Sequence, residues 1–340
     1  MGTPATARGL VSNKYARRFL QTEAMRRRAT LLPYAPLQVY VDPCNACDLA
    51  CTFCPQSDWG DRARGMMKMD IFERVLAELV ELRPRQVYLF CYGEALLHKK
   101  IFEMIRAVVD AGLEAKIHTN AKSLNEERAL ELLESGLQEL HFSFDTANED
   151  DYNRMRVRSD FDLVVGNIRR FLELKRQRGS KHPVVYLQEL VPYAKDARPV
   201  TSDAYRALFD GYDVVYDPRF MHNFAGMSNE TEFKRREDEG TSICSQIYTR
   251  IVVTFDGKVH ACCLDSEGYN IVGDLAAGDT IASAWNSTAM QELRRRTGAR
   301  DLDGLKPCDE CDMLRRRPKK EPTGARRVVG EALWRLTEKG

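Results

Sequence analysis

The sequence predicts an α/β fold: six β–α units forming a parallel sheet that curls into a partial, TIM-like (β/α)6 barrel. A small C-terminal auxiliary domain, a β-hairpin with helices around a metal centre, is predicted to follow it. Three observations predict this. Between residues 37 and 216 the apolar residues alternate between strand-like and helix-like periods, with short connections. Ten cysteines fall into two groups, Cys44 to Cys54 and Cys244 to Cys311, with Cys91 by itself and none between it and Cys244. The first group follows directly on the first strand, at the end where β/α barrels collect their chemistry.

Composition removes several alternatives. With 340 residues, 44% hydrophobic and 30% charged, the chain can bury a core and is not a disordered polymer. Lys and Arg (51) nearly cancel Asp and Glu (50), which excludes bulk electrostatic capture of nucleic acid. No apolar run approaches membrane-spanning length. Arg26, Arg27 and Arg28 have no apolar run behind them, so no signal peptide is read and a cytoplasmic location is expected. In a reducing compartment, cysteines serve metal ligation or catalysis rather than a disulfide framework.

The elements follow in order. The N-terminal segment, with Arg17, Arg18 and Arg26 to Arg28, reads as a surface helix. Leu37, Val39 and Val41 alternate as strand one; Phe72, Val75, Leu76 and Leu79 mark one face of a helix, with Asp70 as its N-cap. Gln86 to Cys91 is strand two, and Ile101, Ile105 and Val108 trace a helix ending at Gly112. Glu114 to His118 is strand three and Asn125 to Ser135 the next helix. Leu140, Phe142 and Phe144 form strand four; Phe161, Val164, Val165 and Ile168 form a helical stripe. Val184 to Leu190 and Val214 to Tyr216 complete the six strands, and His222-Asn223-Phe224 after strand six is placed either to line the pocket or, more often for His on a barrel rim, as ordinary surface. Ile251 to Phe255 and Val259 to Cys262 are strands joined by Asp256-Gly257, a strong hairpin signal, and Ala284 to Arg296 is a helix. Arg315 to Lys320 is a basic run, and Val328 to Leu336 a short helix in a solvated tail. The expected units are a helical extension (1–35), the barrel (36–235), the auxiliary domain (236–316) and the basic tail (317–340).

Cys47, Cys51 and Cys54 form C-x3-C-x2-C, written CDLACTFC. Three thiolates on one loop suit a cubic iron–sulfur cluster with one iron free of protein. With Cys44 as a fourth ligand, a structural zinc site or a ferredoxin-type cluster is equally compatible with the spacing. Cys44 decides between them, because a fourth protein ligand closes the metal to substrate. At the C-terminal end, Cys244, Cys262 and the pair Cys308 and Cys311 suit one fully ligated centre, which on spacing alone is a zinc ribbon or an iron–sulfur cluster.

Phe53 precedes the last cysteine of the first loop, and that loop follows strand one of a β/α repeat. Here the sequence resembles the radical S-adenosylmethionine (SAM) superfamily, whose signature is this cysteine spacing with an aromatic residue before the last cysteine. The resemblance runs from about Leu37 to Met221. Tyr92 to Leu97 (YGEALL) stands where the family carries its GGEP-like motif for the SAM amino group, which implies that role for Gly93 and Glu94. Tyr92 and Ala95 depart from the motif, while Gly93 suits a backbone that must approach a ligand closely. Thr119-Asn120 is similar to the family's TNG, and Ser143-Phe144-Asp145 to its SxD segment near the ribose. Tyr152 to Arg156 (YNRMR) resembles a segment whose arginine faces the SAM carboxylate. The resemblance implies a 4Fe-4S cluster on Cys47, Cys51 and Cys54 whose open iron SAM chelates. An electron from an external reductant, such as flavodoxin or ferredoxin, then cleaves SAM to a 5′-deoxyadenosyl radical; the protein binds, orients and excludes water.

TFDGKVHACC, IVGDLAAGDTIASAWN and CDEC resemble the SPASM/twitch auxiliary domain of these enzymes, in its single-cluster form. This implies a second 4Fe-4S cluster on Cys244, Cys262, Cys308 and Cys311, acting as electron acceptor or structural pin. The residues ahead of strand one are too few for a leader-peptide recognition domain, so a small-molecule substrate is expected. The implied reaction is hydrogen abstraction from a carbinol carbon, carbohydrate or aminocyclitol, giving dehydrogenation. The alternatives are epimerisation with a thiol hydrogen donor (Cys263 first, then Cys91), peptide modification, and a non-catalytic iron–sulfur or zinc scaffold.

Overall fold

A computed structural model describes residues 13–60, 64–194, 197–228, 242–315 and 324–338. In chain order, α1 (Lys14–Arg27) leads to β1 (Gln38–Val41), then α2 (Met69–Leu82), β2 (Gln86–Tyr88), α3 (Ile101–Asp110), β3 (Ala115–Thr119), α4 (Glu126–Glu134) and β4 (Glu139–Asp145). There follow α5 (Glu149–Met155), α6 (Phe161–Gln177), β5 (Val184–Val191), α7 (Asp203–Leu208) and β6 (Val215–Phe220). The C-terminal region contributes β7 (Arg250–Val253), β8 (Lys258–His260), β9 (Ile271–Asp274), α8 (Ile281–Trp285), α9 (Thr288–Ala299) and α10 (Ala325–Thr337).

The strands form one sheet in the order β6-β5-β4-β3-β2-β1-β7-β8-β9. Strands β1 to β6 pair in parallel, as the β–α alternation requires, and the open order fits a partial barrel. The C-terminal hairpin is part of this sheet: β7 lies parallel to β1, with Val39 opposite Ile251, while β8 and β9 add in antiparallel fashion. One face carries Val39, Val41, Val87, Leu89, Ile117, Leu140 and Phe142 into a core shared with Phe72, Val75, Leu79, Ile105 and Val108 of the helices. Each such side chain contributes about 1.5–3 kcal/mol through burial. The other face carries a different set, the odd-and-even alternation of a strand. Tyr40 stacks on Tyr88 (4.4 Å), and Phe90, His118, His141 and Tyr186 stack in a row at 3.9, 4.3 and 4.3 Å.

Several expectations are corrected. Helix α2 starts two residues earlier than the Asp70 cap implies: Lys68 is the N-cap position, and Asp70 sits in the first turn, where its charge still meets the helix dipole. Strand two stops at Tyr88, short of Cys91. The segment 284–296 is two helices broken at Asn286-Ser287; the Ser287 side chain caps α9, and Asn286 binds the backbone of Leu32 and the Arg294 guanidinium. The N-terminal helix is not purely superficial, since Arg17 is fully buried and donates to the carbonyls of Pro36, Leu82 and Arg83. The tail helix α10 packs on α1, with Trp334 buried beneath Arg27 at 5.5 Å. Arg315 ends a short helical turn; the rest of the basic run, 316–320, lies outside the described residues, as do residues 1–12. Among the described residues no helix is long and apolar enough to cross a membrane.

Candidate active site

Strand β1 hands the chain to the first cysteine loop at the C-terminal end of the sheet. Leu49, Cys51, Phe53 and Met155 form a small apolar cluster separate from the main core, with Cys47, Cys54 and Phe224 packed against it. The three cysteines of the C-x3-C-x2-C motif therefore meet in one place. The loop is pinned by Ala50 N to Val157 O (2.9 Å) and Thr52 N to Met155 O (3.0 Å). Cys44 stands apart: its backbone bridges to Met66 and its thiol faces Ala46 O at 3.5 Å. Three soft donors on an apolar loop fit a cluster with one iron left open. Burial pushes the Cys47 thiol up to about 12 and the Cys54 thiol to about 11, so cluster assembly must release their protons.

The expected SAM-facing residues form the next layer. A Cβ on Gly93 would lie 2.1 Å from Cys44 O and 2.4 Å from Ala46 O, so what approaches Gly93 here is the backbone of the cysteine loop. Glu94 N donates to Ala46 O (2.9 Å) and locks the two loops together. The buried Glu94 carboxylate accepts from Leu96 N (3.0 Å), Thr119 Oγ1 (2.8 Å) and Asn120 N (2.8 Å), and burial pushes its carboxyl up to about 7. Thr119 is thus spent on Glu94. The neighbouring Asn120 reaches the loop itself, donating Nδ2 to Asp48 Oδ1 (2.8 Å) and to Cys47 Sγ (3.8 Å).

Ser143 and Asp145 end β4 across a register shift, and Asp145 takes the left-handed conformation (φ 71). A non-glycine residue held there stores strain of the kind found at functional sites. Arg156 Nε donates to Asp145 Oδ2 at 2.7 Å, and Nη2 reinforces the same oxygen; Asp145 Oδ1 is buried without a partner. Burial opposes the Arg156 charge, but Asp145 and Cys51 outweigh it and raise its pKa above the ordinary value. Its guanidinium also lies over Phe53 at 5.4 Å.

In the auxiliary region Cys244, Cys262, Cys308 and Cys311 all line one small cavity, walled by apolar side chains such as Leu264, Leu293 and Leu314. Four thiols around an apolar cavity fit a fully ligated cluster. Cys263, next in sequence to Cys262, turns its sulfur to Arg250 Nη1 (3.7 Å), and Cys91 Sγ lies 4.0 Å from Cys263 O. The two candidate hydrogen donors are therefore neighbours at the barrel mouth.

Some residues escaped the sequence reading. Asp42, the residue after β1, is fully buried and accepts from Tyr92 N at 3.1 Å; its place just past a strand end was the available signal. Tyr92, marked only as a departure from a motif, sends its hydroxyl to Cys262 O (3.2 Å) and Asp265 O (2.9 Å). Of the two alternatives for His222-Asn223-Phe224, ordinary surface does not describe Asn223 or Phe224: the Asn223 side chain binds Glu310 O (2.8 Å) and Asp312 N (3.3 Å), and Phe224 stacks on Phe53 of the cysteine loop at 5.8 Å.

Comparison with known proteins bears on this arrangement. The model of the radical SAM superfamily matches residues 41–189, and that of SPASM, an iron–sulfur cluster-binding domain, matches residues 244–312. The PqqA peptide cyclase of Bradyrhizobium diazoefficiens is 32% identical over 114 residues, which is 34% of this chain and 30% of that protein. The chain thus matches under a third of that relative's length. Among solved structures, BtrN in complex with AdoMet and 2-DOIA superimposes with a TM-score of 0.52 at 17% identity, covering 81% of this chain and 91% of BtrN. Streptococcus suis SuiB bound to precursor peptide SuiA gives 0.55 at 15%, covering 87% and 73%. At such identities the structural likeness establishes the fold.

Proposed function

We infer the reaction from the premise that the chain belongs to the radical SAM superfamily and carries a C-terminal SPASM iron–sulfur domain, working with SAM and two 4Fe-4S clusters. The reading is that it abstracts hydrogen from a carbinol carbon of a polyhydroxylated small molecule and delivers a ketone. Cys47, Cys51 and Cys54 would hold the first cluster, which would supply the electron for SAM cleavage, drawn from an external flavodoxin or ferredoxin. Cys244, Cys262, Cys308 and Cys311 would hold the second, which, closed by four protein ligands, would suit the role of accepting the electron the substrate gives up. Gly93, Glu94, Thr119, Ser143, Asp145 and Arg156 shape the SAM side.

The observation that carries the reading is the inner face of the sheet. Strands β1 to β5 present Gln38, Tyr88, Lys116, His118, Glu139, His141 and Tyr186 rather than the aliphatic fill of a sealed barrel, and several of these are only half-buried. Hydrogen-bonding groups interleaved with flat rings suit a ligand rich in hydroxyls. The likeness to BtrN, whose structure holds AdoMet and 2-DOIA, supports a small-molecule substrate. Peptide modification is the second reading, favoured by the likeness to SuiB with its precursor peptide.

The test is anaerobic turnover of the reconstituted enzyme with reductant, SAM and a panel of aminocyclitols and sugars in deuterated water. Dehydrogenation gives 5′-deoxyadenosine and a product two mass units lighter. Epimerisation gives a product one mass unit heavier, with one deuterium in place of the abstracted hydrogen. SAM cleavage with peptides but with no member of the panel would replace the first reading by the second.

A further inference from the structure

Strands β2, β1 and β7 lie side by side, and the loops leaving their C-terminal ends help enclose a second cavity, ≈ 680 Å3 including its open mouth. Asp42 after β1, Tyr92 after β2 and Asp256 after β7 line it, together with Trp59, His260 and Glu267. It shares no residue with the thiol-lined cavity, and none of its lining residues belongs to the cluster or SAM sets above. The C-terminal ends of adjacent parallel strands are where such sheets bind ligands.

Among the described residues, the lining of this cavity carries the carboxyl groups of Asp42, Asp256 and Glu267 beside Lys258 and His260. Asp42 is fully buried; its Oδ1 accepts from Tyr92 N at 3.1 Å, and its Oδ2 has no hydrogen-bond partner. A buried carboxylate oxygen without a donor is costly. Burial pushes the Asp42 carboxyl up to about 7, against the pull of the Tyr92 and Gly93 N–H groups, and Asp256 adds to the rise. Glu267 accepts from Trp59 Nε1 at 2.8 Å, and Asp256 from the Thr254 hydroxyl at 2.6 Å. Lys258, a cation on the wall, is turned to Asp274 at 3.5 Å. Trp59 and Tyr92 meet edge to face with centroids 6.3 Å apart, and aromatic rings beside carboxylates favour a cation. The ligand class that suits an anionic, aromatic-walled cavity of this size is an organic ammonium, whose attraction to carboxylate and ring needs no fixed coordination geometry.

We propose that this cavity binds the ammonium group of a small organic amine, with Asp42 as its anchoring carboxylate. The inference concerns ligand chemistry and stands whether the reaction is dehydrogenation, epimerisation or peptide modification. Asp42 is faced by Asp256, Tyr92 and the thiols of Cys44 and Cys91, and it shares the cavity with Lys258, His260 and Glu267. An amine binds best to the ionised carboxylate, so its apparent affinity is flat above the Asp42 titration and falls as pH drops below about 7.

The test uses the full reconstituted chain without reductant, titrated calorimetrically with cyclohexylammonium chloride and, as the neutral counterpart, cyclohexanol. One saturable site for the amine and none for the alcohol is expected, with affinity falling several-fold from pH 8 to pH 6. Asp42→Asn keeps an acceptor for Tyr92 N and should weaken the amine about tenfold or more at unchanged iron content. Glu267→Gln, at an exposed position, should weaken it a few-fold and guards against a folding defect in the first variant. No saturable amine binding, equal binding of cyclohexanol, or undiminished binding in both variants would overturn the proposal.

Discussion

Gly93→Ala is the sharpest test of how the two loops meet. The added Cβ would lie 2.1 Å from Cys44 O, 2.4 Å from Ala46 O and 2.8 Å from Asn45 C. All three are backbone atoms, so no side chain can swing aside and the cysteine loop itself must retreat by on the order of 1 Å to reach ordinary contact. Retreat also breaks the Glu94 N to Ala46 O hydrogen bond. Overpacking costs about 1–3 kcal/mol and the lost bond about 1 kcal/mol, for a loss of about 3 kcal/mol and a Tm lower by about 6 °C. The effect on chemistry is larger, because a displacement near 1 Å in a radical site costs about a hundredfold in rate. The assay measures 5′-deoxyadenosine formation, iron content and thermal unfolding side by side. Gly166→Ala in α6 is the control: nothing lies within 4 Å of its Cβ position, and alanine there should be neutral or stabilise by up to about 1 kcal/mol. Native SAM cleavage and native Tm in Gly93→Ala would refute the argument.

Four further outcomes are expected. Reconstituted protein should hold roughly eight irons, and replacing Cys47, Cys51 and Cys54 together should remove about half and abolish SAM cleavage, whereas Cys44→Ala should keep both clusters. Arg156→Ala strands Asp145 in the interior and should cost about 3–5 kcal/mol while raising the SAM concentration needed for cleavage; an unchanged SAM requirement would remove Arg156 from the site. Cys263→Ala separates the two small-molecule outcomes: a dehydrogenase keeps making ketone, whereas an epimerase stops making epimer yet still forms 5′-deoxyadenosine. Glu94 has a folded pKa raised from 4.5 to about 7, so between these values the folded state holds more protons than the unfolded one and stability declines as pH rises. Glu94→Gln should flatten that part of the stability–pH curve measured by denaturant titration.

The fold was legible because each buried stripe has one period. Val39 and Val41 on β1, or Val75 and Leu79 on α2, point to a single core and repeat accordingly. The cysteines were legible because soft ligands are rare and their spacing is local within each loop. What periodicity hides is the opposite face. Tyr40, Tyr88, His118 and His141 occupy the intervening strand positions, and in sequence they look like the polar half of any amphipathic strand. Only the curvature of the sheet turns that half inward and stacks it. Pairings between distant segments were equally invisible: β7 against β1 joins residues some two hundred positions apart, and nothing local in either strand names its partner.

The departures at Tyr92 and Ala95 are explained by what each now does. Proline at the second position would fix the backbone by its ring; Ala95 instead begins a short 3-10 turn (Ala95–Leu97) that Glu94 caps through Leu96 N at 3.0 Å, so a hydrogen bond sets the path. A glycine at the first position would leave space beside the hairpin. Tyr92 fills it, resting edge-on to Trp59 at 6.3 Å and sending its hydroxyl to the carbonyls of Cys262 and Asp265. One strand end thereby touches both cysteine loops: Gly93 and Glu94 are wedged against Cys44 to Ala46, and the Tyr92 phenol holds the turn after β8. Because β1 and β7 are also paired, the two loops rise from neighbouring strands of one sheet and are cross-braced above it. The motif's loss of a small residue is thus the gain of a brace, and the spacing of the two clusters is set by rigid elements rather than by a linker.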